Sequence, residues 1–303
     1  MLRKILCALI LVVAVCSASF AGNVHAGLLT YLGTTEQEYQ QGLDDLRKAL
    51  SPLLSNNEAK ESWEDYDLFE GFLADMVKNR RIVHYYDSLL SMQMALRSNK
   101  INEMVLPEAV TMYLMANNPA NYEILFSLNM MPSTIAFGFK NGNTALKKDF
   151  DEAIKAMKKD GTLMSLENKY IANISTSEPE RVKFQEFKGA QTIRAAVTGD
   201  LPPIDYIAAD GRPAGYNTAI LAEIGRRLKR NIRILSVEAG GRSAALASER
   251  ADVVFWYRNT EGIKLPAKAK VSRKKVKDAS FDGVILSEPY YSWDTDLVIG
   301  RSK

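Results

Sequence analysis

Two cysteines and two histidines are all that the 303 residues carry. Both cysteines, Cys7 and Cys16, fall in an N-terminal leader, so the exported chain is expected to hold no thiol, no disulfide and no thiolate metal site. With the leader taken as residues 1–26, His84 is the one histidine left, which excludes His-based triads and His-rich zinc sites. Past the leader there is no long hydrophobic span and no short repeat. An excess of one charge is missing too: removing Arg3 and Lys4 from the 39 basic residues leaves 37 against 36 acidic ones, and that balance gives no overall pull toward nucleic acid.

What is present is an ordinary globular composition behind an export signal. A content of 47% hydrophobic and 25% charged residues supplies core for one large or two modest lobes. Arg3 and Lys4 precede an apolar run over 5–15, small residues follow, and Val24-His25-Ala26 has the form of a cleavage site, with Ala21 as the other candidate. The run is about half the roughly 20 residues a membrane-spanning helix needs. Export to the periplasm or the extracellular space is therefore expected, with lipid attachment at Cys16 as an alternative.

Hydrophobic periodicity then alternates between strand and helix. The apolar run 28–32 and the amphipathic stretch 36–54 flank Gly33-Thr34-Thr35, a strand end followed by a helix cap. A helical period recurs over 63–77, strand character over 82–86, and Ser88 caps a helix over 89–97. Residues 104–106 form a buried strand and Pro107 opens a helix over 108–115. The apolar 124–128 and the alternating 134–139 read as two further strand segments. Asn143 opens a helix over 145–157, a shorter helix runs to Tyr170, and the polar 175–185 is the best linker. After it, 192–197, 217–228, 232–237, 241–247 and 252–256 read β-α-β-α-β. Strands interleaved with helices imply an α/β fold with a parallel or mixed sheet. In such sheets ligands settle at the carboxyl ends of strands, beside helix N-termini.

At these loops the chain resembles a known family. AVTGDLPPIDYIAADGRPAGYNTAILAEIGRRLKRNIRIL, then ALASERADVVF, then ILSEPYYS look like the first lobe of the family 3 extracellular solute-binding proteins. IVHYYDSLLSMQMALRSNKINEMVLPEAVTMYL looks like the second lobe, and FGFKNGNTALKKDFDEAIKAMKKDGTLMSLENKYI like the closing helices. The order is inverted relative to the family. The resemblance implies a two-lobed periplasmic-binding-protein-like fold (type II) in circularly permuted order: leader 1–26, lobe two 27–132, closing strand and helices 133–172, linker 173–190, and lobe one 191–303 with a basic insertion over 262–280. A permuted monomer and a domain-swapped dimer are both compatible with that order.

The resemblance also implies candidate ligand contacts. Tyr206 and Leu201, near the Pro202-Pro203 turn, stand where the family places an apolar wall, with a rigid turn and core filling by Pro202, Pro203 and Tyr206 as the alternative, and Thr198 is a further candidate contact. Arg258 follows a buried strand and could grip a carboxylate through two parallel hydrogen bonds. The family's Thr-x-x-Arg pattern is absent, since Thr260 is followed by Ile263. Trp256 is an aromatic wall or core. Gly33, Thr34 and Thr35 resemble an anion-holding turn or are a simple cap. Glu108 stands one position past the family's ammonium-binding acid, and Tyr85 ends another strand on the cleft side.

The implied function is capture of a small polar solute, an amino acid or related carboxylate, in an interlobe cleft for an ABC-type permease, with no cofactor, no metal and no catalysis. Two other classes stay open. One is a sensor or interaction module that has lost transport. The other is a dehydratase-like enzyme using Asp200, Asp205 or Glu238 as the acid.

Overall fold

The computed structural model describes residues 23–32, 36–54, 81–173, 181–257 and 283–302. They fall into two α/β units: residues 1–131 with 294–303, and the uninterrupted stretch 132–293. Arg258, Gly33, Thr34, Thr35, the helix expected over 63–77 and the basic run 262–280 lie outside the described residues.

In the first unit, β1 (Val24–Leu29) pairs in parallel with β2 (Arg81–Tyr86) and β3 (Glu103–Pro107). The order continues through β12 (Tyr291–Arg301), antiparallel to β3, to β4 (Tyr122–Lys140), which gives this unit its residues 122–131. α1 (Glu36–Leu54) presents Tyr39, Leu43 and Leu46 at helical spacing, and these pack with Ala26, Leu28, Val105, Phe126 and Val298 on one face of the sheet. On the other face α2 (Leu89–Arg97) lies so close to β1 that a Cβ at Gly27 would sit 2.7 Å from Ile101 Cδ1 and 2.9 Å from Met92 Cγ. Ser88 caps α2 by accepting from the Ser91 N–H at 3.1 Å. α3 (Glu108–Asn117) follows β3 directly.

Charge is buried at the amino ends of β2 and β3. The Arg81 guanidinium meets the Glu103 carboxylate at 3.1 Å, the Tyr39 hydroxyl donates to the same oxygen, and all three residues are shut off from solvent. Burial and the adjacent Glu103 charge push the Tyr39 hydroxyl well above its ordinary range. Such a pair is held only as long as both members stay, because removing one leaves a desolvated charge behind.

β1 also changes the expected leader. The strand starts at Val24 and Ala26 is fully buried inside it, so cleavage after Ala26 would cut a paired strand in half. Of the two candidate positions, Ala21 leaves β1 whole. His25 lies in this strand, and its Nδ1 lies 2.7 Å from His84 Nε2 across β1 and β2.

The second unit is built on β4 residues 132–140, β10 (Val253–Tyr257), β5 (Thr192–Val197) and β9 (Asn231–Ser236), in that order. β10 runs antiparallel to β4 and parallel to β5, which is parallel to β9. β11 (Val284–Leu286) adds to β4. Two segments expected as separate strands, 124–128 and 134–139, are thus one continuous strand. α4 (Thr144–Lys159) buries Leu146, Phe150, Ala153, Ile154 and Met157. Phe150 meets Phe137 and Phe139 edge-on at 5.0 and 5.1 Å, a favoured aromatic arrangement. α5 (Thr162–Glu167) follows, and Asp160 between the two helices binds Arg227 at 2.8 Å on α6 (Tyr216–Leu228). Part of the expected linker is also tied down: Asn231 at the start of β9 exchanges hydrogen bonds with Phe187 at 2.8 and 3.1 Å.

Candidate functional site

The loops at the carboxyl ends of β5, β9 and β10 lie at one end of the second unit, because the three strands are parallel. After β5 the chain makes a small antiparallel sheet from β6 (Asp200–Leu201), β7 (Asp205–Ile207) and β8 (Pro213–Ala214). Pro202 and Pro203 form the turn between β6 and β7. That turn seats on the start of α6: the Tyr216 N–H donates to Pro203 O at 3.0 Å and the Asn217 N–H to Ile204 O at 2.8 Å. The close approach requires Gly215, whose φ is +95° and whose Cβ would fall 2.5 Å from Pro203 O. The helix start expected to offer free N–H groups to a ligand therefore spends its first two on the protein's own turn.

Within this turn Asp205 is buried. One carboxylate oxygen accepts from the Thr198 hydroxyl at 3.1 Å and the Gly199 N–H at 3.3 Å. Burial pushes its pKa up to about 6, with Asp200 adding to the rise, while the two hydrogen bonds and the Arg242 charge work against it. A carboxyl so placed changes charge close to neutral pH.

Arg242 supplies the charge of opposite sign. It starts α7 (Arg242–Ala247), after β9 and the turn 239–241, and is 8% exposed. Its Nη1 donates to the Phe255 carbonyl in β10 at 2.9 Å, so the guanidinium is fixed against the neighbouring strand end. A buried arginine oriented in this way is suited to recognising a carboxylate. Sequence reasoning passed over it. The available signal was a lone arginine after Gly240-Gly241, at the first turn beyond a strand.

The expected contacts divide as follows. Thr198 and Tyr206 are half-buried at this end of the unit, Thr198 bonded to Asp205 and Tyr206 opposite Asp200 and Ala214 in register. Leu201 is completely buried beside the turn. Trp256 lies in β10 with its backbone opposite Ala136. In the first unit, Tyr85 is the residue before last in β2 and is 47% exposed, Glu108 is exposed in the first turn of α3, and Asp87 accepts from the Thr30 hydroxyl at 2.9 Å. Among the described residues no three His, Cys, Asp or Glu side chains gather as a metal site would require, and no helix is long and apolar enough to cross a membrane.

Residues 193–260, which start in β5 and run past β10, match the family model of bacterial extracellular solute-binding proteins, family 3. The match takes in Thr198, Asp205, Tyr206 and Arg242. No curated protein sequence matches the chain. Among solved structures it is similar to the ligand-binding component of an ABC-type import system from Staphylococcus aureus with zinc bound, at 10% identity and a TM-score of 0.40, covering 93% of this chain and 66% of that one. It is also similar to the PBP AgaA from A. tumefaciens R10 in complex with agropinic acid, at 9% identity and a TM-score of 0.38, covering 72% and 55%. A third likeness is to the VFT2 domain of Bordetella pertussis BvgS, at 9% identity and a TM-score of 0.38, covering 92% and 80%.

Proposed function

We propose that the protein is an exported solute-binding protein that captures a small polar solute, an amino acid or related carboxylate, for delivery to an ABC-type permease. The observation that carries this is the placement of Arg242: a buried, oriented cation at the strand ends, inside the segment that matches the solute-binding family. Arg242 takes the solute carboxylate in this proposal. Thr198, Tyr206 and Trp256 are further candidate contacts, Asp205 tunes Arg242 electrostatically, and Arg258, which follows β10 in sequence, is a second candidate cation. The first unit's share would come from Tyr85 and Glu108 with the Gly33-Thr35 turn.

The chain order is proposed to be a circular permutation, with a domain-swapped dimer as the alternative. In support, α4 and α5 precede β5 in sequence yet belong to the same unit. Export with cleavage near Ala21 is part of the proposal.

Isothermal titration with a panel of amino acids and small organic acids tests it. Saturable binding that weakens roughly ten-fold or more in Arg242→Gln is expected, as for loss of a charge-assisted hydrogen-bond pair. Silence across the panel would favour the second reading, a sensor or interaction module without transport. That reading draws on the missing Thr-x-x-Arg pattern and on the α6 N–H groups already used by the turn. Turnover of a bound acid would instead make Asp205 a candidate acid in an enzyme.

A further inference from the structure

A second set of cations lies in the first unit. Leu96 and Arg97 at the end of α2, Ala120, Asn121 and Tyr122 at the start of β4, and Arg301 and Ser302 at the end of β12 line a surface pocket of about 400 Å³. The register places it beside the amino end of β3. β12 runs against β3 so that Asp296 faces Pro107 and Gly300 faces Glu103, and Arg301 therefore lies beyond the amino end of β3.

The side chains of Arg97 and Arg301 make no hydrogen bond or ion pair among the described residues. Arg97 offsets the negative pole of α2, which accounts for one arginine and not for the second, contributed by a separate strand. The lining also includes Asn121, Ser302 and Tyr122, whose hydroxyl accepts from Gln93 Nε2 at 2.8 Å and is thereby fixed in place. Two arginines among polar lining residues suit an anion carrying more than one charge and several acceptor oxygens. The volume is within the roughly 300–1,000 Å³ of small-molecule pockets, and Leu96 and Ala120 give an organic substituent an apolar wall. We propose that this pocket binds a soluble organic phosphate, with the phosphoryl group held between Arg97 and Arg301.

Titration calorimetry of the full exported chain with glycerol 3-phosphate and with inorganic phosphate tests this. Saturable binding is expected for glycerol 3-phosphate. It should weaken about ten-fold or more in Arg97→Gln and in Arg301→Gln, disappear in the double variant, and stay unchanged in Lys148→Gln, a cation exposed on α4 of the other unit. Thermal melts of each variant establish that it is folded. No saturable binding, or binding that survives the double substitution, overturns the proposal. So does capture on phosphatidylglycerol vesicles without binding of soluble glycerol 3-phosphate, which would make the pocket a membrane contact. Arg242→Gln is expected to leave the phosphate response intact, so failure here is distinguishable from failure of the solute site.

Discussion

Replacing Asp205 by asparagine should change how stability depends on pH, in a direction fixed by its surroundings. The folded protein raises the pKa of this carboxyl from 3.8 to about 6, so the folded state keeps a proton that the unfolded chain gives up. Between pH 4 and 6 the folded state thus binds more protons, and stability falls as pH rises. The penalty is absent below pH 4, where both states are protonated, and complete above pH 6 to 7. At about 1.4 kcal/mol per unit the shift corresponds to about 3 kcal/mol. Asparagine keeps an oxygen to accept from the Thr198 hydroxyl and the Gly199 N–H but carries no charge. Urea unfolding of both proteins at half-unit steps from pH 4 to 8 measures the difference, and every other titrating group cancels between them. Asp205→Asn is expected to match the wild type at pH 4 and exceed it by about 3 kcal/mol at pH 8. A constant difference across that range, or one that grows toward acid, would refute the placement of this carboxylate in a desolvated turn.

Three other outcomes follow from local geometry. Glu103→Gln leaves the Arg81 guanidinium buried without its counter-charge, and urea titration should show a loss of about 3–5 kcal/mol. In Gly215→Ala the new Cβ meets the Pro203 and Ile204 carbonyl oxygens at 2.5 and 2.8 Å at a φ of +95°; backbone strain alone costs about 1–3 kcal/mol, and a lowered melting temperature with weakened solute binding is expected. A chain starting at Gly27 lacks the first half of β1 and should melt well below one starting at Gly22, while mass spectrometry of the secreted protein should find Gly22 at its N-terminus.

Much of the second unit was legible in the sequence because its signals are local. The strands at 192–197 and 232–237 and the helix between them were each bounded by turn residues or a change of period, and the structure has them within a residue or two. β4 was not legible as one strand. Met130-Met131-Pro132 breaks the alternation between its two halves, and a proline inside a run argues against a strand, yet the pairing continues on both sides. Arg242 was missed for another reason. Its value depends on Phe255 and Asp205, which are 13 and 37 positions away and come near only once three parallel strands are ordered. The leader boundary was not legible from composition, since the small residues that resemble a cleavage site also suit a strand packed closely under a helix.

β12 has a consequence for the order in which the protein can be made. Its residues 294–301 stand between β3 and β4, in the interior of the first unit's sheet. A ribosome delivers the whole of 132–293 before this strand emerges. The second unit is therefore free to fold as a continuous nascent segment, whereas the first, though it begins earlier, stays open along an interior edge until β12 arrives. A stop codon just before Asp294 would spare every residue of the later unit and strip the earlier one of a central strand.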